Sequence, residues 1–254
     1  MRDGIRWLGR RGTELVVLGE VCEGDVVDLR SEVAASFPKA RKPASSSAHP
    51  SDVGVLTAAT CAAGLLRSLK TGFKGKNLDG RQVCFRVRTS VAGADAITFF
   101  AAHWPSRRES LGEAEREHLG ADLARKVSGA KGGVIVIGDF NDEPFNKSLS
   151  DSLQSTRMRE TARKRSILYN PFWRLLGERR PFEAEDDGGL CGGTHRWSGD
   201  YGGEWFTLDQ MLFSPRFLSP NGWRLREGSI DIVELRGLKT GQHFPIMCTL
   251  EFAG

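Results

Sequence analysis

The run Val134–Ile137 constrains this chain more than any other segment. It is an uninterrupted series of β-branched residues that stops at Gly138. A β-branched stretch that short, with no polar alternation, reads as a strand buried on both faces, and such strands sit in sheets covered by other layers. Asp139, Asn141 and Asp142 then follow within four positions. Layered α/β folds place their chemistry at that carboxyl end of a strand. The same residue types also cap ordinary strand-to-turn junctions, so the run alone leaves a structural and a functional reading open. A carboxylate and an amide held there can grip a hydrated metal or activate a water.

With 254 residues, of which 39% are hydrophobic, the chain has the length and the core for one large α/β domain or two small ones. No repeat and no break in composition divides it, so residues 1–254 are read as a single domain. Leu15–Val21 reads as a buried strand with Glu20 at its end, and residues 25–35 as a helix capped by Asp25. Residues 37–52 have loop or linker composition. Arg81–Arg88 alternates, with Val83, Phe85 and Val87 on one face, and Ala96–His103 is a further strand. Ser106 and Glu109 form a capping-box pattern. The helix they open is expected to run to about Val127, with Leu111, Leu119, Leu123 and Val127 along one face. A short helix near 146–155 follows, then a basic, loop-rich region to about 204. Phe206–Ser214 and Pro245–Phe252 are the last clear strands. Helices and strands alternate in the first half and strands dominate the second, which predicts a layered α/β domain.

The formal net charge of +4 is mildly basic and compatible with a phosphate-bearing substrate. Five widely spaced cysteines, Cys22, Cys61, Cys84, Cys191 and Cys248, include no pair at zinc-ligand spacing, and read as buried thiols in a reducing compartment. The arginines at 2, 6, 10 and 11 precede only a short apolar stretch flanked by Glu14 and Glu20, unlike a signal peptide. No stretch approaches the ~20 consecutive apolar residues of a membrane span. The expected setting is the cytoplasm, and the expected state a monomer.

Five polar positions stand out at or near strand ends: Glu20, His103, Asp139 with Asn141, Asp209, and His243. Carboxylates and histidines distributed in this way suit a metal-assisted hydrolase. Mg²⁺ takes one or two carboxylates, keeps several waters and draws its remaining ligands from substrate phosphate. Singly, each position also has an ordinary reading: Glu20 as a solvated strand end, His103 as a hydrogen-bonded core histidine, Asp209 as a turn residue.

Five segments occur in order: Val-Val-Leu-Gly-Glu-Val (16–21), Ala-His-Trp-Pro-Ser-Arg (102–107), Gly-Asp-Phe-Asn-Asp-Glu-Pro (138–144), Leu-Asp-Gln-Met-Leu-Phe-Ser (208–214) and Gln-His-Phe-Pro-Ile (242–246). Together they resemble the endonuclease/exonuclease/phosphatase superfamily with its DNase I-like fold, and within it a bacterial branch with a His-Trp-Pro-Ser-Arg segment. The resemblance runs from about residue 14 to the end of the chain. It implies a four-layer α/β sandwich: two mixed β-sheets packed face to face, with helices outside. It implies Mg²⁺ as cofactor, with Mn²⁺ as a substitute. Glu20 would be the main metal-binding carboxylate, joined by Asp139, Asn141 and the residue at 242. Asp139 would orient or deprotonate the attacking water, and Asn141 would hold that water or a phosphate oxygen. His243 would stabilise the transition state, oriented by Asp209, and His103 would donate to the phosphate from the other side. Ser106 and Arg107 would touch phosphate, unless Ser106 serves only as a helix cap.

The chain departs from the family pattern in two places. The last motif normally reads Ser-Asp-His-Phe-Pro, whereas here Gln242 precedes His243. Gln242 offers a carbonyl oxygen without a negative charge, so weaker metal affinity is expected. Gln242→Asp should then raise activity at limiting Mg²⁺, and an unchanged rate would contradict this. The family also carries an Asn-bearing strand some tens of residues before the glutamate. Only 19 residues precede Glu20 and none is Asn, so the first strand is expected to be missing, which would expose a sheet edge.

The substrate expectation is a DNA or RNA phosphodiester, with a small or lipid phosphoester, or non-catalytic phosphate or nucleic-acid binding, as alternatives. Arg157, Arg159, Arg163, Lys164 and Arg165 form the strongest basic cluster. It reads either as a solvated face or as a track for backbone phosphates. Trp173, Trp197, Trp205 and Trp223 are either packing residues or base-stacking surfaces.

Overall fold

The β-branched run lies in the middle of a seven-stranded mixed sheet. The computed structural model describes residues 2–11, 13, 15–18, 31–32, 35–36, 44–47, 54–59, 67–68, 81–87, 91–107, 112–177, 192–197, 204–233 and 243–254. Glu20, Gln242 and most of the helix expected at 25–35 lie outside the described residues.

The chain opens with helix α1 (Arg2–Arg10). Strands β1 (Leu15–Leu18), β2 (Ala44–Ser47) and β3 (Gly54–Ala59) form an antiparallel sheet in the order β1-β3-β2. The central sheet takes β4 (Arg67–Ser68), β5 (Gln82–Val87) and β6 (Ile97–His103). Helix α2 (Gly112–Gly129) then leads into β7 (Gly133–Asp139). A π-helical turn, Ser148–Ser152, is followed by β8 (Ser155–Thr156), helix α3 (Arg159–Arg165) and β9 (Leu168–Tyr169). After a 3₁₀ turn at Pro171–Leu175 come β10 (His195–Trp197), β11 (Glu204–Phe206) and β12 (Asp209–Phe213). A second 3₁₀ turn, Pro215–Leu218, precedes the long ribbon of β13 (Gly222–Ile232) and β14 (Ile246–Ala253). The central sheet runs β4-β5-β6-β7-β12-β9-β8. Among the described residues only β6/β7 and β8/β9 pair in parallel.

Val134, Ile135 and Val136 are each at most 2% exposed, as a strand covered on both faces requires. Alternation along the strands sorts the core. Phe99, Ala101 and Ile135 join a cluster with Leu225, Ile230 and Ile232 of β13, against which Leu15, Ile246 and Leu250 also pack. Phe100, Ala102, Val134 and Val136 point the other way, into a cluster with Leu119 and Leu123 of α2 and Leu149 of the π-helical turn. The central sheet therefore lies between a helix-bearing layer and a second β layer, as the sandwich expectation requires. Among the described residues that second layer is seen as the β1-β3-β2 sheet and the β13–β14 ribbon, each paired within itself. No helix among the described residues is long and apolar enough to cross a membrane.

Several expected boundaries change. Part of the 37–52 loop forms β2, which pairs with β3. The basic region before 204 holds α3, β9 and a 3₁₀ turn, packed by Ala162, Tyr169 and Phe172. Phe206–Ser214 is two strands, and β13 was not expected at all. A register shift between Arg226 and Asp231 moves the buried positions from the odd-numbered Leu225 to the even-numbered Ile230 and Ile232, which breaks the period-two pattern in the sequence. The described part of α2 begins at Gly112, and Glu109 of the capping box lies outside the described residues.

The basic cluster is largely occupied within the fold. Arg159 pairs with Glu227 at 2.9 Å and Lys164 with Glu160 at 3.2 Å. Arg163 donates to the Leu218 carbonyl. These contacts favour the reading of a solvated, packed helix face over a phosphate track.

Candidate active site

Three neighbouring strands deliver the site in one row. In the parallel register of β6 and β7, His103 lies opposite Asp139. In the antiparallel register of β7 and β12, Asp209 lies opposite the same Asp139. Gly138 permits this closeness. Its φ is 150°, and a Cβ there would lie 1.9 Å from the Ala102 carbonyl oxygen. No side chain fits between the strands one residue before the carboxylate.

Asp139 is held by its own turn. The Asn141 amide donates to Asp139 Oδ1 at 2.7 Å, and Asn141 adopts φ 52°. Asn is one of the few residues that tolerate this left-handed conformation. Asn141 Nδ2 donates to the Trp104 carbonyl at 2.8 Å and approaches Asp139 Oδ2 at 3.2 Å. The amide nitrogen thus faces the protein, and Oδ1 is the atom Asn141 has to offer a ligand.

Two histidines converge on the other carboxylate oxygen. His103 Nε2 is 3.9 Å and His243 Nε2 is 4.0 Å from Asp139 Oδ2. Both gaps are too long for a hydrogen bond, but each accommodates an oxygen atom at about 2.8 Å from either side. His243 Nδ1 lies 2.7 Å from Asp209 Oδ2. A carboxylate can only accept, so this contact places the Nδ1 proton on His243 and directs Nε2 toward Asp139.

Electrostatics complete the arrangement. Asp139 is pushed up to about 7, first by burial and then by repulsion from Asp209, while His243, the Asn141 amide and His103 act in the opposite sense. Ligand atoms of Asp139, Asp209 and His243 lie within 4.8 Å of one another. Because Asp209 and His243 already share a short hydrogen bond, we read them as a dyad and Asp139 as the cation-facing carboxylate. A buried carboxylate under repulsion, beside an amide oxygen, suits a hard divalent cation. The donor set therefore fits a divalent cation with oxygen ligands.

The loop after Asn141 is fixed by contacts that the sequence did not suggest. Asp142 is 3% exposed and accepts from Arg116 Nε at 2.8 Å and from Ser148 Oγ at 2.6 Å. Arg116 Nη1 also donates to the Pro105 carbonyl at 3.1 Å. Breaking a buried pair strands the surviving charge. Arg116→Ala is expected to destabilise the protein by about 3–5 kcal/mol, seen as a melting temperature roughly 10 °C lower. Arg116→Ala with Asp142→Asn should recover part of the loss, and an unchanged melting temperature in the single variant would contradict the pairing.

Arg107, expected at phosphate, is bonded to the loop. Its Nε donates to the Asn141 carbonyl at 3.0 Å, its Nη2 approaches Asn146 Oδ1 at 3.4 Å, and its guanidinium lies over Phe206 at 5.2 Å. The Ser106 carbonyl abuts Gly112, where a Cβ would lie 2.6 Å away.

Thr194 and His195 are the site neighbours that sequence reasoning missed. The fully buried Thr194 Oγ1 accepts from the amides of Leu208 and Asp209, both at 3.0 Å, and so fixes the start of β12. Its carbonyl accepts from the Phe244 amide at 2.7 Å. His195 bridges to His243 along the backbone, and their rings stand 4.5 Å apart. The run Gly192-Gly193-Thr194-His195 was the available signal. Glycines allow close backbone approach, and the Cβ of a residue replacing Gly193 would meet the Phe206 carbonyl oxygen at 2.4 Å.

A family model described as Endonuclease/Exonuclease/phosphatase family matches residues 76–243. No curated protein sequence matches the chain. Solved structures do. D. rerio TDP2 complexed with single-strand DNA product has a TM-score of 0.60 at 14% identity, covering 98% of this chain and 91% of that one. The human Nocturnin catalytic domain with bound sulfate has 0.60 at 16%, covering 99% and 86%. The Bacteroides thetaiotaomicron mannosyl-6-phosphatase has 0.57 at 13%, covering 99% and 90%. At these identities the likeness is one of fold.

Proposed function

The chain belongs to the endonuclease/exonuclease/phosphatase family, whose members generally hydrolyse phosphoester bonds, and we propose that it is a divalent-metal-dependent phosphodiesterase acting on DNA or RNA. One observation carries this reading: Asp139 is flanked in register by His103 and by the Asp209–His243 dyad, with both Nε2 atoms about one oxygen atom away from it. The whole chain is read as one catalytic unit, since the core behind the site draws on residues from Leu15 to Leu250.

Hydrolysis of a phosphodiester requires an in-line water and compensation of the charge that builds on the non-bridging oxygens. Asp139 Oδ2 accepts a proton from the water and aligns it, with Oδ1 engaged by the Asn141 amide. The water oxygen bonds to phosphorus as the P–O bond opposite it breaks, and the leaving oxygen takes its proton from solvent. Asn141 Oδ1 accepts from the water, while Nδ2 of the same side chain is engaged by the Trp104 carbonyl. His243, protonated at both nitrogens, donates from Nε2 to a non-bridging oxygen, and Asp209 stabilises that charge through Nδ1. His103 donates from the opposite side. Asp139 and Asn141, with Glu20 and Gln242 completing the set, would hold Mg²⁺ or Mn²⁺. The bound cation supplies Lewis-acid polarisation of the phosphoryl group.

Below about pH 7 Asp139 keeps its proton in the cation-free protein, so a cation must displace it. Apparent Mg²⁺ or Mn²⁺ affinity is therefore expected to rise about tenfold from pH 6 to pH 8, as measured by calorimetric titration. An affinity independent of pH over that range contradicts the assignment of Asp139 as a ligand.

The function itself is tested with a panel: plasmid DNA, an RNA, a small phosphodiester and a sugar phosphomonoester, each with Mg²⁺. Cleavage of a nucleic acid faster than the two small substrates is expected. Preference for the phosphomonoester overturns the proposed substrate class, and binding of nucleic acid with no hydrolysis of any substrate overturns the catalytic reading.

A further inference from the structure

The loop that fixes Asn141 also carries an exposed aromatic residue. Phe145 is 52% exposed, although it lies only six residues after Asp139 in a tightly bonded loop. The Glu143 amide donates to Asn146 Oδ1 at 2.9 Å, and the Asn146 amide donates to the Glu143 carbonyl at 2.9 Å. The Arg107 guanidinium spans Asn141 and Asn146, as described, and the Thr207 amide donates to the Glu143 carboxylate. A large apolar side chain is thus presented to solvent from a loop that cannot fold it away.

Phe145 does not stand alone. Its ring meets that of Trp173 edge-on at 6.2 Å, and the Arg157 guanidinium lies over Trp173 at 5.2 Å. Arg157 is exposed. The Trp173 indole N–H has no hydrogen-bond partner among the described residues, so ring contacts rather than a polar anchor place the indole. The exposed Phe145 ring thus stands against the half-buried Trp173, which is itself covered by the exposed Arg157 guanidinium, and the Asn141–Asn146 loop joins this group to the catalytic residues.

Aromatic faces beside a cation suit a flat π-system attached to an anion. A nucleobase on a phosphate backbone has that chemistry, and stacking tolerates any base. A paired base keeps its faces covered by its neighbours, so the occupant must be unpaired. We infer that Phe145, Trp173 and Arg157 form a platform on which an unpaired nucleobase of the substrate strand stacks next to the scissile phosphate. This inference rests on the proposed nuclease reading and narrows it to single-stranded substrate or single-stranded ends.

The platform is tested by binding, separately from activity. Anisotropy of a labelled 12-nucleotide oligomer is measured with Asp139→Asn protein, so that turnover does not interfere. The same measurement uses an abasic oligomer of equal length and a duplex. Stacking is expected to make the unpaired oligomer bind about tenfold more tightly than the abasic one. Phe145→Ala in the same background should remove that difference, and Phe145→Tyr should retain it. Deoxy- and ribo-oligomers of one sequence then distinguish the two sources of the base. Equal affinity for base-bearing and abasic oligomers, or a contrast unaffected by Phe145→Ala, overturns the platform. Failure of the wild-type protein to hydrolyse nucleic acid overturns the proposed function instead, with the binding contrast still deciding the platform.

Discussion

His243→Ala is expected to slow phosphodiester hydrolysis by about 10³-fold, and Asp209→Asn by about 10²-fold, with little change in KM for either. His243 presents Nε2 toward Asp139 only because Asp209 Oδ2 holds Nδ1 at 2.7 Å. Removing the imidazole deletes a donor that acts when charge develops on phosphorus, so the loss falls on kcat. Asn at 209 can still engage Nδ1 but carries no charge to stabilise the imidazolium. The two changes act on one unit, and the double variant should lose little beyond His243→Ala alone. Steady-state kinetics on one oligonucleotide, with circular dichroism as a check on folding, decides this. A fully additive double variant would mean that the 2.7 Å contact has no part in the reaction.

Gly138→Ala is expected to destabilise the protein by about 3 kcal/mol or more, lowering the melting temperature by roughly 6–12 °C. Two independent effects act at this position. The φ of 150° is one that L side chains rarely adopt, and the added Cβ would lie 1.9 Å from the Ala102 carbonyl oxygen and 2.8 Å from its carbon. Neither atom belongs to a side chain that can turn aside, so β6 and β7 must separate. Separation also breaks the register of His103 against Asp139, and activity should fall beyond the stability loss. Gly129→Ala is the matched control, because nothing lies within 4 Å of a Cβ there. A Gly138→Ala protein that melts with wild type would refute the close-approach argument.

What could be read from the sequence followed from periodicity and from rigid spacing. The strand ending at His103 is apolar apart from Thr98, the run at Val134–Ile137 is apolar throughout, and the described strands match them closely. The same holds for Leu119 and Leu123 of α2, both fully buried. His103, Asp139 and Asp209 could be placed at or near strand ends from the sequence, whereas their alignment in one row rests on the pairing registers of β6, β7 and β12. Features that break periodicity were not legible. β13 shifts register midway, so that its buried positions change parity between Leu225 and Ile230. α3 is only seven residues long and is strongly charged, and it is held by packing of Ala162 and by pairs such as Arg159–Glu227. Arg116 has nothing in its local sequence to mark it, yet it neutralises a buried Asp142 from 26 residues away. Thr194 and His195 reach the site through pairing of β10 with β11 and a single bridge to His243. Such long-range contacts leave no local pattern to detect.

The central claim is that Asp139 sits at the reacting centre of a metal-dependent phosphodiesterase. Its most direct test is the initial rate of hydrolysis of a single-stranded oligonucleotide in Mg²⁺, compared between wild-type and Asp139→Ala protein and repeated with chelator. Wild type is expected to cleave only when the cation is present, and Asp139→Ala to be slower by about 10³-fold or more at saturating Mg²⁺. Equal rates in the two proteins, or cleavage undiminished by chelator, would contradict the account.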